Sequence, residues 1–110
     1  SNDAAAVSAA EGSMEVTLSG GSGKAKVESP CTVTTDENGQ MWATVVWSSS
    51  KYEFMVVDGV QYDPITIDPG ATFVIPVTPD TEMAVQAQTT AMSTPHLVDY
   101  TLFFDSTTLK

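Results

Sequence analysis

The sequence predicts an all-β domain, specifically an immunoglobulin-like antiparallel β-sandwich of about eight strands. Short segments in which apolar and polar residues alternate recur at roughly ten-residue spacing, and Gly, Pro, Asn and Asp separate them. This spacing is typical of a sandwich or a small barrel. No long segment has the apolar periodicity of a helix. Because the chain has 110 residues, 42% of them hydrophobic, we expect one core. Residues 1–12 lack periodicity and are predicted to be a flexible N-terminal tether to a single domain at 13–110.

Alternating side chains predict the strands of the first half. Met14, Val16 and Leu18 alternate with polar residues until a glycine-rich stretch ends the strand. Asn38-Gly39 favours a tight hairpin in which both residues adopt left-handed conformations. The strand after this turn is apolar on both faces, so we place it in the middle of a sheet. The predicted strands of this half are 13–19, 24–28, 31–35 and 40–47.

The second half continues with shorter strands and clear turns. Asp58-Gly59 predicts a second hairpin, and Pro76 marks its strand as an edge because proline donates no hydrogen bond to a ladder. The last strand directs Leu102 and Phe104 into the core. The predicted strands of this half are 52–57, 60–62, 71–77, 83–89 and 96–104. We expect the core to be anchored by Trp42, Trp47, Phe54, Phe73, Phe103 and Phe104.

The charge balance limits the classes of partner. The chain has four basic and fourteen acidic residues, which gives a net charge of −10. Such a surface repels phosphate backbones, so nucleic acid is not an expected partner. No apolar run of about 18 residues occurs, so we expect no transmembrane segment in this chain. The opening, rich in Ala and Ser, is typical of a tether behind a removed anchor. We therefore expect an extracellular, cell-surface location.

The sequence contains few residues from which a catalytic site could be built. Gly-x-Ser-x-Gly and His-Glu-x-x-His motifs are absent, and the single histidine and single cysteine are far apart in sequence. We therefore expect that the protein is not an enzyme. Cys31 has no partner for an intrachain disulfide and is predicted to be a small buried hydrophobic residue.

The segment 91–100 carries the candidate binding residues. Met92, His96 and Tyr100 are of types that ligate iron or soft metals. On an extended strand, His96 and Tyr100 face the same side, which is also the side of the core-facing Leu102 and Phe104. The two residues are thus expected at the rim of the interior, where a flat apolar ligand could bind. A structural alternative stays open, in which His96 only forms a hydrogen bond within a turn and Tyr100 only forms a hydrogen bond at a corner between strands.

Four runs, read in order, resemble the NEAT (near-iron-transporter) haem-binding domains. The runs are 45–50, 54–62, 72–77 and 96–104, and the similarity extends over residues 13–105. The resemblance implies an immunoglobulin-like fold with haem as cofactor. By position, His96 takes the place of the family's iron-ligating tyrosine and Tyr100 that of its supporting tyrosine. Met92 is a possible second ligand or pocket wall.

Two functional hypotheses follow from these observations. The first is a cell-surface binding module that takes haem or a related iron ligand for uptake and works with surface transport or receptor proteins. The alternative is a non-catalytic protein-interaction or accessory domain of a surface or transport lipoprotein that binds no haem and offers its edge strands to a partner.

Overall fold

The structure, a computed structural model, describes residues 10–91 and 93–110. The all-β prediction is confirmed, because within these residues the chain forms eight strands and one 3₁₀ turn, Ser106–Thr108, but no α-helix. Accordingly, no helix in the described part is long and apolar enough to cross a membrane. The strands are β1 Ala10–Gly20, β2 Cys31–Thr35, β3 Met41–Val46, β4 Tyr52–Val57, β5 Val60–Tyr62, β6 Thr72–Val77, β7 Met83–Thr89 and β8 His96–Asp105.

The strands form one antiparallel sheet that is nearly closed like a barrel, in the order β5-β4-β7-β8-β1-β2-β3-β6. Strand β1 changes partner halfway along its length. Up to Met14, which lies opposite Cys31, it pairs with β2. From Glu15, which lies opposite Asp105, it pairs with β8. Because both halves of the sheet share β1, the sheet curls and brings the region of β5 close to β6.

The core lies inside this curled sheet. Trp47, Phe73 and Phe104 are among the largest side chains that are fully buried there. Three other predicted anchors, Trp42, Phe54 and Phe103, are instead half-buried. Trp42 and Phe103 lie next to inward-facing residues of β3 and β8, and successive side chains of a strand point to opposite faces. The alternation therefore puts these two rings on the outer face.

The turn between β2 and β3 differs from the expected hairpin. Only Gly39 has a positive φ, of 82°, whereas Asn38 does not. An Asp36 carboxylate oxygen accepts hydrogen bonds from the backbone N–H groups of Asn38 and Gln40, at 2.9 and 3.0 Å. The indole N–H of Trp42 donates to the other oxygen at 3.0 Å and lowers the pKa of Asp36. The aspartate side chain thus organises a longer turn.

The chain between β1 and β2 was predicted to contain a strand at 24–28, and this prediction was wrong. Only Val27 pairs in the manner of a strand, in a single bridge to Trp47. Ala25 and Val27 nevertheless pack against the core. The segment crosses from the β8 side of β1 to the β2 side, so it has no neighbour to follow over several residues. Strand β1 also begins earlier than predicted, at Ala10, and residues 1–9 of the predicted tether lie outside the described residues.

The two ends of the sheet offer few free hydrogen-bonding groups. Strand β6 is an edge strand, as predicted, and the N–H and C=O of Thr72 are already bonded to Thr66 and Ile65, each at 2.8 Å. Pro76 has the same parity as Thr72, so its missing N–H belongs to the open edge. At the other end β5 is only three residues long and follows the tight Asp58-Gly59 turn. These features oppose pairing with a further strand.

Restoring a donor at the β6 edge is expected to promote self-association. In Pro76→Val the edge gains an N–H two residues from Val74, so a second chain can pair with it. Size-exclusion chromatography with light scattering should show a mass that rises with protein concentration. Adding Val74→Lys to this variant should return the mass to that of the parent protein, because a lysine opposes pairing at an edge. A mass for Pro76→Val that equals that of the parent at every concentration would contradict this explanation.

Candidate functional site

Two tyrosines meet at one end of the barrel. Tyr52 is the first residue of β4 and Tyr100 lies in β8, and their phenol oxygens are 3.0 Å apart in a buried hydrogen bond. Trp47 packs against both rings, with centroid distances of 4.2 Å to Tyr52 and 5.0 Å to Tyr100. The three side chains form an aromatic cluster in which each ring fixes the position of the others.

Burial affects the ionisation of Tyr52 in this cluster. Burial, followed by the hydrogen bond to Tyr100, raises the pKa of Tyr52 well above its usual range. Tyr52 therefore remains a neutral phenol under physiological conditions. The indole N–H of Trp47 is buried and has no hydrogen-bond partner among the described residues. The cluster is thus apolar apart from one phenol pair.

An open cleft of about 380 Å³ reaches this phenol pair. Its walls come from the loop after β1, from Ser48 and Ser49 before β4, and from the facing ends of β7 and β8. Tyr52 and Tyr100 both line it. Since the rings are almost completely buried, the cleft exposes only part of their edges.

Gly21 explains how the loop after β1 can pass so close to the aromatic cluster. Its φ is +63°, a left-handed conformation that favours glycine. A Cβ atom at this position would lie 2.9 Å from a ring carbon of Tyr100. The glycine-rich sequence, predicted only as a turn, therefore also allows close packing over a residue of the site.

Strand β8 presents its residues as the sequence predicts. His96 is exposed, Val98 is half-buried and Tyr100 is only 6% exposed, and the same alternation continues to Phe104. Val98 and Tyr100 line the cleft, whereas His96 lies beyond Val98 on the same strand face, opposite Thr89. At about 3.3 Å per residue, the Cα atoms of His96 and Tyr100 are about 13 Å apart.

The His96 imidazole is exposed and is hydrogen-bonded to the segment just before β8, as in the structural alternative. Its Nε2 atom lies 3.3 Å from the hydroxyl of Thr94, which is its one side-chain hydrogen bond in the described part of the chain. No three His, Cys, Asp or Glu side chains come together there as a group that could hold a metal ion. Iron within a haem has lower requirements, because the ring already supplies ligands and the protein adds one or two. A single histidine can satisfy that requirement, whereas it cannot hold a bare ion by itself.

Cys31 is buried, as predicted, and does not belong to the cleft. It is 3% exposed, and its thiol lies 3.6 Å from the carbonyl oxygen of Glu28. Burial, with a smaller effect of the nearby Glu28 charge, raises the pKa of this thiol to about 12. A protonated buried thiol is a poor nucleophile and a poor metal ligand, so its role here is packing.

The structure thus joins some of the predicted site residues and adds one. It brings Tyr100 to the cleft and His96 next to it, while Met92 lies outside the described residues. Tyr52 was not predicted, and its only sequence signal is its position directly after the polar segment 48–51, where a new strand begins. In comparisons with known proteins, no family model matches this chain and no curated protein matches it.

Proposed function

We propose that this domain is a cell-surface binding module that takes haem or a related flat iron ligand at the cleft beside β8. One observation supports the proposal: the exposed imidazole of His96 shares a strand face with Val98 and Tyr100, which line an open cleft. A partly apolar wall next to a single strong iron ligand is what a haem site requires. The immunoglobulin-like sandwich and the surface transport partners belong to the same proposal. The sandwich rests on the spacing of the strands together with the resemblance, and the partners rest on the proposed uptake of the ligand.

Each residue has a distinct task in this proposal. His96 would hold the iron through its imidazole, and Val98 and Tyr100 would contact the edge or face of the ring. Tyr52 keeps the Tyr100 phenol in place through their hydrogen bond. Bound haem would supply an iron centre that is carried rather than chemically transformed. We therefore propose binding and transfer rather than catalysis.

A hemin titration of the purified domain tests the proposal. We expect a shifted Soret band that saturates with hemin, and we expect His96→Ala to weaken binding by at least about tenfold, since second-shell changes alone already cost that much at metal sites. Leu97→Ala is the matched control, because Leu97 is also exposed but points to the opposite face of β8. A flat titration with the parent protein, or equal binding by His96→Ala, would refute haem binding at His96.

A second candidate is a protein-interaction or accessory domain. It is favoured by three exposed apolar side chains on β5 and the loop that follows it, Val60, Ile65 and Ile67, which are 51%, 65% and 50% exposed. Exposed apolar side chains that form a contiguous patch are typical of a contact with another protein. The blunted edges of β5 and β6 make side-chain contacts a better route for it than strand addition. A flat hemin titration would favour this candidate.

A further inference from the structure

The few basic residues of the chain are unevenly distributed. The sequence has four lysines, no arginine and fourteen acidic residues. Three of the lysines, Lys24, Lys26 and Lys51, lie in the two loops that border the cleft. The carbonyl of Lys26 accepts a hydrogen bond from Ser48 N–H at 2.8 Å, and that of Lys51 accepts one from Thr90 N–H at 2.9 Å. The backbone at both lysines therefore adjoins the cleft region.

The lining of the cleft also has more positive than negative charge. Among the described residues that line it, Lys24 is the only one with a charge, and none carries a carboxylate. Three other concave surfaces of the described part include acidic residues: Asp58 and Asp99 in one, Asp58 and Glu82 in another, and Glu11 in a third. Although the chain has a net charge of −10, an anion that enters this cleft meets Lys24 and no carboxylate of the lining.

Neutral hydrogen-bond donors that line the cleft together with Lys24 also suit an anionic group. Ser22, Ser48 and Ser49 line the cleft, and a serine hydroxyl can donate a hydrogen bond to an oxyanion. The lining also includes Ala25, Val98 and parts of the two tyrosine rings, which suit an apolar surface. The cleft therefore combines a cation and neutral donors with apolar contacts.

We infer that the cleft recognises the anionic end of its ligand, namely a carboxylate attached to a flat and otherwise apolar molecule, with Lys24 as the charged partner. The inference takes the cleft of the proposed function as its site but does not require iron. Lys24 attracts the carboxylate, the serines donate to it, and the apolar part of the ligand packs against Val98 and the exposed parts of the tyrosine rings.

Two probes without iron test this inference directly. 1-Pyrenebutyrate carries a flat apolar ring system and a carboxylate, and 1-pyrenebutanol is its neutral analogue. At low ionic strength we expect the domain to bind the acid about fivefold more tightly than the alcohol, as measured by probe fluorescence, which is the size expected for an exposed ion pair. Lys24→Gln should remove this difference. Lys110→Gln, which changes a lysine beside a different concave surface, should preserve it. Added salt should reduce the preference in the parent protein.

The possible outcomes separate this inference from haem binding. Equal binding of acid and alcohol, an unchanged preference in Lys24→Gln, or no binding of either probe would each overturn it. If pyrenebutyrate binds in a Lys24-dependent way while the hemin titration is flat, the carboxylate site stands and haem binding fails. If hemin binds through His96 while Lys24→Gln leaves the preference for the acid unchanged, haem binding stands and the role of Lys24 is wrong.

Discussion

Replacing Trp47 by alanine is expected to lower the free energy of unfolding by about 3–5 kcal/mol, the usual cost of truncating a large buried aromatic side chain. Trp47 is only 1% exposed and packs against both Tyr52 and Tyr100. Its removal leaves a cavity beneath the phenol pair, which loses its support. Equilibrium denaturation followed by far-UV circular dichroism should show an earlier midpoint with a similar slope.

Trp42→Ala is the matched control for this substitution. Trp42 is the other tryptophan of the chain, but it is half-buried and its indole N–H donates a hydrogen bond to Asp36. We expect a clearly smaller loss of stability, because less apolar area leaves water on folding at this position. A loss for Trp47→Ala no larger than that for Trp42→Ala would show that the aromatic cluster does not anchor the core.

Replacing Gly70 by alanine is expected to cost at least about 2 kcal/mol, because an added methyl group in a tightly packed site forces the backbone to shift. A Cβ at Gly70 would overlap the carbonyl oxygen of Trp47. The backbone there has little freedom to move, since Trp47 N–H donates to Ala71 O at 2.9 Å and Ala71 N–H donates to Ser49 O at 3.0 Å. Thermal unfolding should reveal the loss as a lower melting temperature.

Gly23→Ala distinguishes this steric effect from a conformational one. Gly23 has a φ of +85° but no neighbouring atom within 4 Å of an added Cβ. Alanine there is strained without a clash and should cost about 1 kcal/mol. Gly70 does not have a positive φ, so its expected loss comes from contact alone. If both substitutions cost the same, the overlap with Trp47 would not be the cause.

Local patterns in the sequence were sufficient to predict most of the strands. The side-chain period of two is a property of the extended backbone, so the alternation from His96 to Phe104 could be read without any tertiary information. The edge position of β6 was likewise predictable, because Pro76 lacks the donor that an interior strand needs. These predictions depend on neighbours in sequence and are confirmed.

Features that depend on distant pairing could not be predicted in this way. The phenol pair joins Tyr52 to Tyr100, which are 48 positions apart, and no local signal identifies either as the partner of the other. The wrong prediction of a strand at 24–28 has the same origin. In that segment only Val27 pairs, in one bridge to the distant Trp47. The cleft arises where these distant segments meet, so its lining was not visible in the sequence.

The exchange of partners by β1 has a consequence for how the molecule acquires its structure. Half of this strand can pair as soon as β2 has been synthesised, but the other half must wait for β8, whose Asp105 lies opposite Glu15. Contacts between residues so far apart in sequence slow the folding of small domains. A nascent chain that has not yet reached β8 therefore leaves the second half of β1 and one edge of β7 without a partner, and the joining of the two halves of the sheet is a late event.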